Sequence, residues 1–203
     1  MTTSYEHAEC TIDSDYGRSR FHVFSFGPNE QDNILCIYVP TPGSAIPLVR
    51  VQSACYTSEI FRSTDCDCHQ QLHASLEEIH KKGGLVIYML ADGRGAGLLT
   101  KVRGLALGET EGLDTFDAYI RLGAPVDPRD YGRVVEVLKA LKINSIQLLT
   151  NNPRKIDAIL EAGIIVERVS LEIAPTEASR PYLDTKRLKF GHLLDPRHFG
   201  QLS

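Results

Sequence analysis

The sequence lacks the features that mark several large classes of protein. Its 203 residues contain no apolar run close to the roughly 18 residues that span a membrane, so we expect no membrane association. The first residues lack the basic and apolar regions of a secretory signal, which favours a cytoplasmic location. Internal repeats and low-complexity segments are also missing. These absences leave a globular protein as the expected class.

An excess of basic residues is missing as well. Lys and Arg number 22 against 26 Asp and Glu, and the formal net charge is −4. Proteins that bind nucleic acid usually carry a basic face, so we expect no nucleic-acid partner. A small phosphorylated substrate needs only a few basic groups and is not excluded. The length corresponds to about one domain. We predict a flexible N-terminus over residues 1–9 and a single domain over residues 10–203.

Strand-like and helix-like patterns alternate along the chain. Apolar runs at 34–39, 48–53, 85–90, 145–150 and 164–166 predict buried strands, and residues 20–26 alternate as a half-buried strand does. Helical patterns lie at 70–82, 98–107, 115–122, 131–142 and 183–190, and Asn151-Asn152-Pro153 begins a further helix. This order predicts an α/β fold with a mixed, partly parallel sheet and packed helices.

Three of the five cysteines lie close together in the sequence, as Cys55, Cys66 and Cys68. An odd number of cysteines without a secretory signal argues against a disulfide framework. Thiolates suit zinc, and three ligands would leave a fourth position for water. His69 is an adjacent candidate for that position, and buried incidental thiols are the alternative to a metal site. The remaining two cysteines are expected to be small buried core residues.

Two turns that join a strand to a helix carry basic side chains. Asp92-Gly93-Arg94-Gly95-Ala96-Gly97 combines glycines, which allow a ligand to approach closely, with a helix N-terminus that favours anions. Thr150-Asn151-Asn152-Pro153-Arg154-Lys155 lies at a strand end, where α/β proteins bind ligands. Each could be a simple connection, but together they favour an anionic ligand. A third turn, Asp127-Pro128-Arg129-Asp130, points two charged side chains at one cavity or forms a surface ion pair.

These motifs occur in the order found in GTP cyclohydrolase II, the zinc enzyme that opens riboflavin biosynthesis, and the sequence resembles that family from about Cys10 to Leu194. The matching segments are Arg50-Val51-x-Ser53-x-Cys55, Cys66-Asp67-Cys68, Gln71-Leu72, Gly93-Arg94-Gly95-x-Gly97-Leu98, Lys101, Gly112-x-Asp114-Thr115, Leu122-Gly123, Asp127-x-Arg129-Asp130, 148–153 and 182–186.

The resemblance implies a GTP cyclohydrolase II-like catalytic domain in which Cys55, Cys66 and Cys68 hold one zinc ion and a water molecule. That water would attack C8 of the guanine of GTP, and formate, pyrophosphate and a ribosylamino-pyrimidinone phosphate would leave. Asp127 corresponds to a proton acceptor. Arg129 corresponds to a proposed nucleophile, but charge stabilisation is the simpler role because a guanidinium stays protonated. Magnesium on the triphosphate and a homodimer are also implied. The implied substrate-binding residues are Arg50, Gln71, Asp92, Gly93, Arg94, Thr115, Thr150 and Lys155.

The sequence also departs from the family pattern. Leu105 stands where the family has an active-site tyrosine, and leucine cannot transfer a proton. The other departures are Gln52, Ala54, His69, Asp92, Gly108 and Tyr119. Three alternatives follow: the reaction could stop at the formamide, the substrate could be another nucleotide or nucleobase, or the protein could bind zinc and nucleotide without catalysis. The retained Asp127 and Arg129 argue against the last.

Overall fold

The computed structural model describes residues 4–199, which divide into two compact units. Unit 1 contains residues 4–53, 72–90 and 130–171, and unit 2 contains residues 54–71, 91–129 and 172–199. No helix within residues 4–199 combines the length and the apolar character needed to cross a membrane.

Unit 1 contains a seven-stranded sheet in the order β1-β2-β3-β5-β4-β6-β7. The first four strands in this order pair antiparallel, and β5, β4, β6 and β7 pair parallel. This confirms the predicted α/β class with a mixed sheet. The strands are β1 Glu6–Ser14, β2 Gly17–Ser25, β3 Asn33–Val39, β4 Leu48–Ser53, β5 Gly84–Met89, β6 Ser145–Leu149 and β7 Ile165–Val169.

Helices connect the parallel strands of unit 1 and make up most of the regular structure of unit 2. The helices are α1 Tyr56–Glu59, α2 Cys68–Lys82, α3 Leu98–Glu111, α4 Thr115–Arg121, α5 Gly132–Ala140, α6 Pro153–Glu161 and α7 Arg180–Phe190. The first turn of α2 belongs to unit 2 and the rest of that helix to unit 1, which also contains α5 and α6. The short α1 was not predicted, and the other helices overlap the predicted helical patterns.

The apolar core of the described residues lies mainly in unit 1. Leu85 and Ile87 of β5, Ile146 of β6 and Leu138 of α5 are each 0 % exposed. Parallel strands covered by helices bury both faces, which explains why the sequence of β5 is almost continuously apolar. Unit 2 contributes only six buried apolar side chains, namely Ala54, Cys55, Cys66, Ala118, Tyr119 and Leu183.

The N-terminal segment differs from the prediction. Residues 1–3 lie outside the described residues, but Glu6–Glu9 form part of β1 and pair with β2 instead of being flexible. Pairing with β2 satisfies the backbone hydrogen-bonding groups of this polar segment, and the polar sequence alone does not predict that pairing. The prediction of a buried Cys10 is also wrong, because Cys10 is exposed on β1, whereas Cys36 is buried as predicted. The single catalytic domain over 10–203 stays a prediction.

Candidate functional site

Three cysteines of unit 2 converge at the start of two helices. Cys55 immediately precedes α1, and Cys68 is the first residue of α2. The Sγ atoms of Cys55 and Cys66 lie 3.8 Å apart, and all three sulfur atoms lie within 4.8 Å of one another. Cys55 and Cys66 are buried and Cys68 is partly exposed. The grouping predicted from the sequence is therefore present.

The spacing of these sulfur atoms suits a tetrahedral metal ion. Zinc binds thiolate at about 2.3 Å, and tetrahedral geometry then places two sulfur ligands about 3.8 Å apart. The observed distance of 3.8 Å between the Sγ atoms of Cys55 and Cys66 has this value. A disulfide would need about 2.05 Å. The residues present thus fit a zinc ion in both chemistry and spacing.

Negative charge within the cluster concentrates on Cys55. Hydrogen bonds from the Cys66 and Cys68 thiols, together with the Lys101 ammonium, lower the pKa of Cys55. The same hydrogen bonds raise the pKa values of Cys66 and Cys68, because their protons stabilise the neighbouring thiolate. A metal ion takes thiolate rather than thiol as ligand, so Cys55 is the thiol that loses its proton most readily, and Cys66 and Cys68 would give up theirs on metal binding.

Lys101 and Asp92 form a buried ion pair beside Cys55. Lys101 Nζ donates to Cys55 Sγ at 3.1 Å and to Asp92 Oδ1 at 2.9 Å. Asp92 also accepts from the backbone N–H groups of Gly93 and Tyr56 at 2.5 and 2.8 Å. Burial works to lower the pKa of Lys101, but the Cys55 thiolate and the Asp92 carboxylate outweigh it and raise that pKa. Asp92 therefore positions Lys101, and its predicted contact with substrate stays a prediction.

A second ion pair lies beside Cys66 and Cys68. Lys186 Nζ of α7 contacts Asp67 Oδ1 at 3.1 Å, and Asp67 Oδ2 accepts from Gln71 Nε2 at 2.5 Å. Burial tends to lower the pKa of Lys186, but the Asp67 carboxylate outweighs burial and raises it. Gln71, predicted to bind substrate, thus holds the residue between the two cysteines.

A cavity of about 310 Å³ opens beside Cys66. Cys66, Asp67 and Gln70 line it, together with residues of the segment 173–179, all within unit 2. The cavity supplies space for a ligand next to the cluster, and its walls mix apolar and polar side chains, as small-molecule sites do.

The glycine-rich turn adopts left-handed backbone conformations. Gly93, Arg94 and Gly95 have φ values of 60°, 56° and 88°, a region that glycine enters without strain and arginine rarely does. Arg94 Nη2 donates to Thr115 Oγ1 at 2.6 Å, and its guanidinium lies over the ring of Phe190 at 4.3 Å. The turn therefore aims Arg94 at Thr115, which brings two of the predicted substrate-binding residues together.

Asp127 and Arg129 form a bidentate pair. Arg129 Nε donates to Asp127 Oδ1 at 2.8 Å and Arg129 Nη2 donates to Asp127 Oδ2 at 2.7 Å. The Arg129 side chain is only 11 % exposed and the Asp127 side chain only 7 %. The alternative of a surface ion pair is therefore wrong. A Cβ on Gly95 would lie 3.3 Å from Arg129 Cγ, which shows that Arg129 packs against the glycine-rich turn.

The predicted substrate-binding residues of unit 1 are all buried and form hydrogen bonds within that unit. Arg50 of β4 donates from Nε and Nη2 to Gln52 Oε1, and from Nη1 to the Leu149 carbonyl at 3.1 Å. Lys155 Nζ donates to the Val51 carbonyl at 2.7 Å, and Thr150 Oγ1 accepts from the Asn152 N–H at 3.1 Å. Their predicted contacts with nucleotide stay predictions.

His69 does not join the cysteine cluster. The His69 ring contacts the Arg62 guanidinium, and the backbone N–H of His69 donates to Ser58 Oγ. Among the residues 4–199, the metal-ligating group at this place contains only the three cysteines. Lys101, Asp67 and Lys186 were within matching segments, but nothing in their spacing predicted that they border the sulfur atoms.

Comparison with known proteins gives concordant matches. The family model for GTP cyclohydrolase II matches residues 5–170. A riboflavin biosynthesis protein RibBA from Bacillus cereus is 42 % identical over 190 residues, covering 93 % of this chain and 48 % of that protein. A RibBA from Bacillus mycoides is 42 % identical over 189 residues, with 92 % and 47 % coverage. The chain thus spans about half the length of these curated relatives.

One solved structure has a low likeness to this chain. It is RibBX, a two-domain 3,4-dihydroxy-2-butanone 4-phosphate synthase from A. baumannii, with a TM-score of 0.49 and 16 % identity over 83 % of this chain and 41 % of that one. A likeness at this level does not bear on function. The sequence matches, in contrast, confirm the family predicted from the motifs.

Proposed function

The chain belongs to the GTP cyclohydrolase II family, and on that premise we propose that it opens the imidazole ring of GTP by hydrolysis. In the proposed reaction, water attacks C8 of guanine. Formate and pyrophosphate are released, and the remaining product is a 2,5-diamino-6-ribosylamino-pyrimidinone phosphate. The observation that carries the proposal is the three-cysteine cluster, whose sulfur spacing fits zinc and which lies beside a cavity.

We propose that Cys55, Cys66 and Cys68 hold the zinc ion. When bound, zinc supplies a Lewis acid that lowers the pKa of water. The chain's own contribution is the charge around the cysteines. Three thiolates carry more negative charge than one divalent ion neutralises, and the ammonium group of Lys101, at 3.1 Å from Cys55 Sγ, offsets part of the difference.

We propose that Arg129 stabilises negative charge on the phosphates and that Asp127 accepts a proton. Both carboxylate oxygens of Asp127 accept hydrogen bonds from Arg129 in this arrangement. A bound phosphate would compete for the guanidinium, because Arg binds phosphate in the same bidentate manner. Arg129 would then stabilise phosphate charge, and Asp127 would be released to accept a proton.

Several finer points remain expectations of the family resemblance. They are a magnesium ion on the triphosphate, a homodimer and a cytoplasmic location. Leu105, which is partly exposed on α3, replaces the family tyrosine. A reaction that stops at the formamide is therefore an alternative. The substrate also remains a proposal, because Gln52 and Ala54 depart from the family pattern.

The test is a product assay with purified zinc-loaded protein, GTP and magnesium, in which formate, pyrophosphate and the pyrimidine are measured separately. We expect equimolar amounts of all three. Pyrophosphate without formate would assign the formamide product instead, and a Leu105→Tyr variant should then restore formate. GTP that raises the melting temperature without reacting would contradict the enzymatic function.

A matched pair of variants tests the role of Arg129. Arg129→Gln should lower kcat/KM by about 100-fold or more, the size expected for the loss of a charge-stabilising group. Arg121→Gln is the control, since Arg121 lies in the same unit with a side chain that is 67 % exposed. Equal activity of the two variants would exclude a catalytic role for Arg129.

A further inference from the structure

A second group of metal-ligating side chains lies on the sheet of unit 1, apart from the residues of the proposed reaction. It contains His7 and Glu9 of β1 and His22 of β2. We propose that these three side chains form a binding site for a divalent transition-metal ion. The proposal does not depend on the ring-opening function, because none of the three residues has a part in it.

Strand register places the three side chains on one face. His7 and Glu9 are two residues apart on β1, so their side chains point to the same side of the sheet. Glu9 lies directly opposite His22 in the antiparallel pair, and Phe24 lies opposite His7. Directly opposed and diagonal side chains on neighbouring strands are within reach of each other. The fold therefore brings two imidazoles and one carboxylate together.

The donor atoms are spaced as ligands of one ion. His7 Nε2 lies 3.1 Å from His22 Nδ1, and Glu9 Oε2 lies 3.0 Å from the same nitrogen. Ligands at adjacent positions of a six-coordinate ion with bonds of about 2.1 Å are about 3.0 Å apart. A single proton on His22 Nδ1 can serve only one of its two neighbours, whereas a cation between the three atoms engages all of them.

Neighbouring groups hold the three side chains in place. Arg20 contacts Glu9 through Oε1, which leaves Oε2 directed at His22. The His7 ring stacks on Phe24, with centroids 4.4 Å apart. His22 is only 5 % exposed, and its Nε2 has no hydrogen-bond partner within the described residues, so the polar contacts of the ring are made through Nδ1. Such outer contacts fix the orientation of metal ligands.

The donor set indicates the class of ion. Two imidazole nitrogens and one carboxylate oxygen suit zinc, cobalt, nickel or iron. Calcium and magnesium prefer sites made entirely of oxygen. The Glu9 side chain is 39 % exposed, so an ion can enter from solvent and keep water in its remaining positions. Binding would link the edge strand β1 to β2.

The experiment uses the untagged 203-residue chain with zinc already bound at the cysteines, titrated with Co²⁺ and followed by calorimetry and visible absorption. We expect about one further Co²⁺ per chain, with the weak bands of nitrogen and oxygen ligation. His7→Ala and Glu9→Gln, which change exposed side chains, should each weaken this binding at least about tenfold. Both variants spare the buried His22, whose replacement could prevent folding.

His73→Ala is the matched control. His73 is also exposed and lies 3.7 Å from a glutamate, Glu77, but the two belong to no group of three ligands among the described residues. Its Co²⁺ binding should equal that of the unchanged protein. The proposal fails if no further Co²⁺ binds, if His7→Ala binds as tightly as the original, or if strong thiolate charge-transfer absorption assigns the added ion to the cysteines.

Discussion

At the scale of single residues, the candidate metal centre depends on buried charges that occur in pairs. Lys101 and Asp92 form one pair beside Cys55. Lys186 of α7 pairs with Asp67, which lies between the other two cysteines in the sequence. Removing one member of a buried pair leaves the other charge without compensation, and that penalty exceeds the net value of the pair itself. The lysines therefore hold the cysteine segments in place as well as offsetting thiolate charge.

Lys101→Met should destabilise the zinc-saturated protein by about 3 kcal/mol, because the Asp92 carboxylate, with a side chain only 3 % exposed, would lose its cation. Denaturant unfolding at saturating zinc measures the change. Asp92→Asn in the Lys101→Met background should recover part of the loss, so the double variant should be less destabilised than the sum of the two single variants. Strict additivity would show that the two side chains do not act as a pair.

At the scale of elements, the ends of helices position the site. Asp114 lies at the N-cap of α4 and accepts from the N–H groups of Phe116 and Asp117 at 2.8 and 3.0 Å. Its Oδ2 also contacts Lys189 Nζ of α7 at 2.6 Å. Thr115, the partner of Arg94, is the next residue along the chain. Capping of α4 therefore fixes the position from which Thr115 meets Arg94.

Asp114→Ala should lower the free energy of unfolding by about 1 kcal/mol, the usual value of an N-cap. Asp114→Asn keeps a capping oxygen and should lose less. Burial tends to raise the pKa of Asp114, but Lys189 and the backbone donors outweigh it, and the pKa lies below its ordinary value.

The lowered pKa sets the sign of the pH dependence. The charged Asp114 stabilises the folded protein above the ordinary aspartate pKa of about 3.9, and this stabilisation is lost as the pH falls through the lower folded-state pKa. The difference between the original protein and Asp114→Asn should therefore shrink below about pH 4. A difference that grows with acidity would contradict this account.

At the scale of the whole molecule, the two units differ in what stabilises them. Unit 1 has a sheet whose central strands are buried, whereas the six buried apolar side chains of unit 2 include Cys55 and Cys66. A unit with so small an apolar core needs other contributions, such as a metal ion. Because zinc binding to thiolates adds directly to folding free energy, we expect unit 2 to depend on it.

Removal of the metal should loosen unit 2 selectively. After chelation, amide hydrogen exchange should accelerate by about tenfold or more in residues 54–71, while β4, β5 and β6 keep their protection. Restoring zinc should reverse the change, and Cys66→Ser should show it without chelator. Uniform acceleration in both units would contradict a selective role for the metal.

Much of the fold could be predicted because its signals are local. The apolar runs of β3 to β6 predict buried strands, and the 3.6-residue periodicity of α2 and α5 predicts helices with one buried face. The exposed β1 carries no such signal, because its partner β2 and not its own apolar content holds it in the sheet. For the same reason, no local pattern predicted an exposed Cys10 or a grouping of His7, Glu9 and His22.

The sequence by itself determined the family, the mixed α/β fold and the three cysteines that could bind zinc, since each depends on residue type and on spacing along the chain. Only the tertiary structure decided which charges lie beside the cysteines, that His69 faces Arg62 and that Asp127 is paired with Arg129. Those contacts depend on the direction of each side chain and on how the elements pack. Electrostatic interactions depend on the distances and burial that packing creates, and no local pattern in the sequence encodes them.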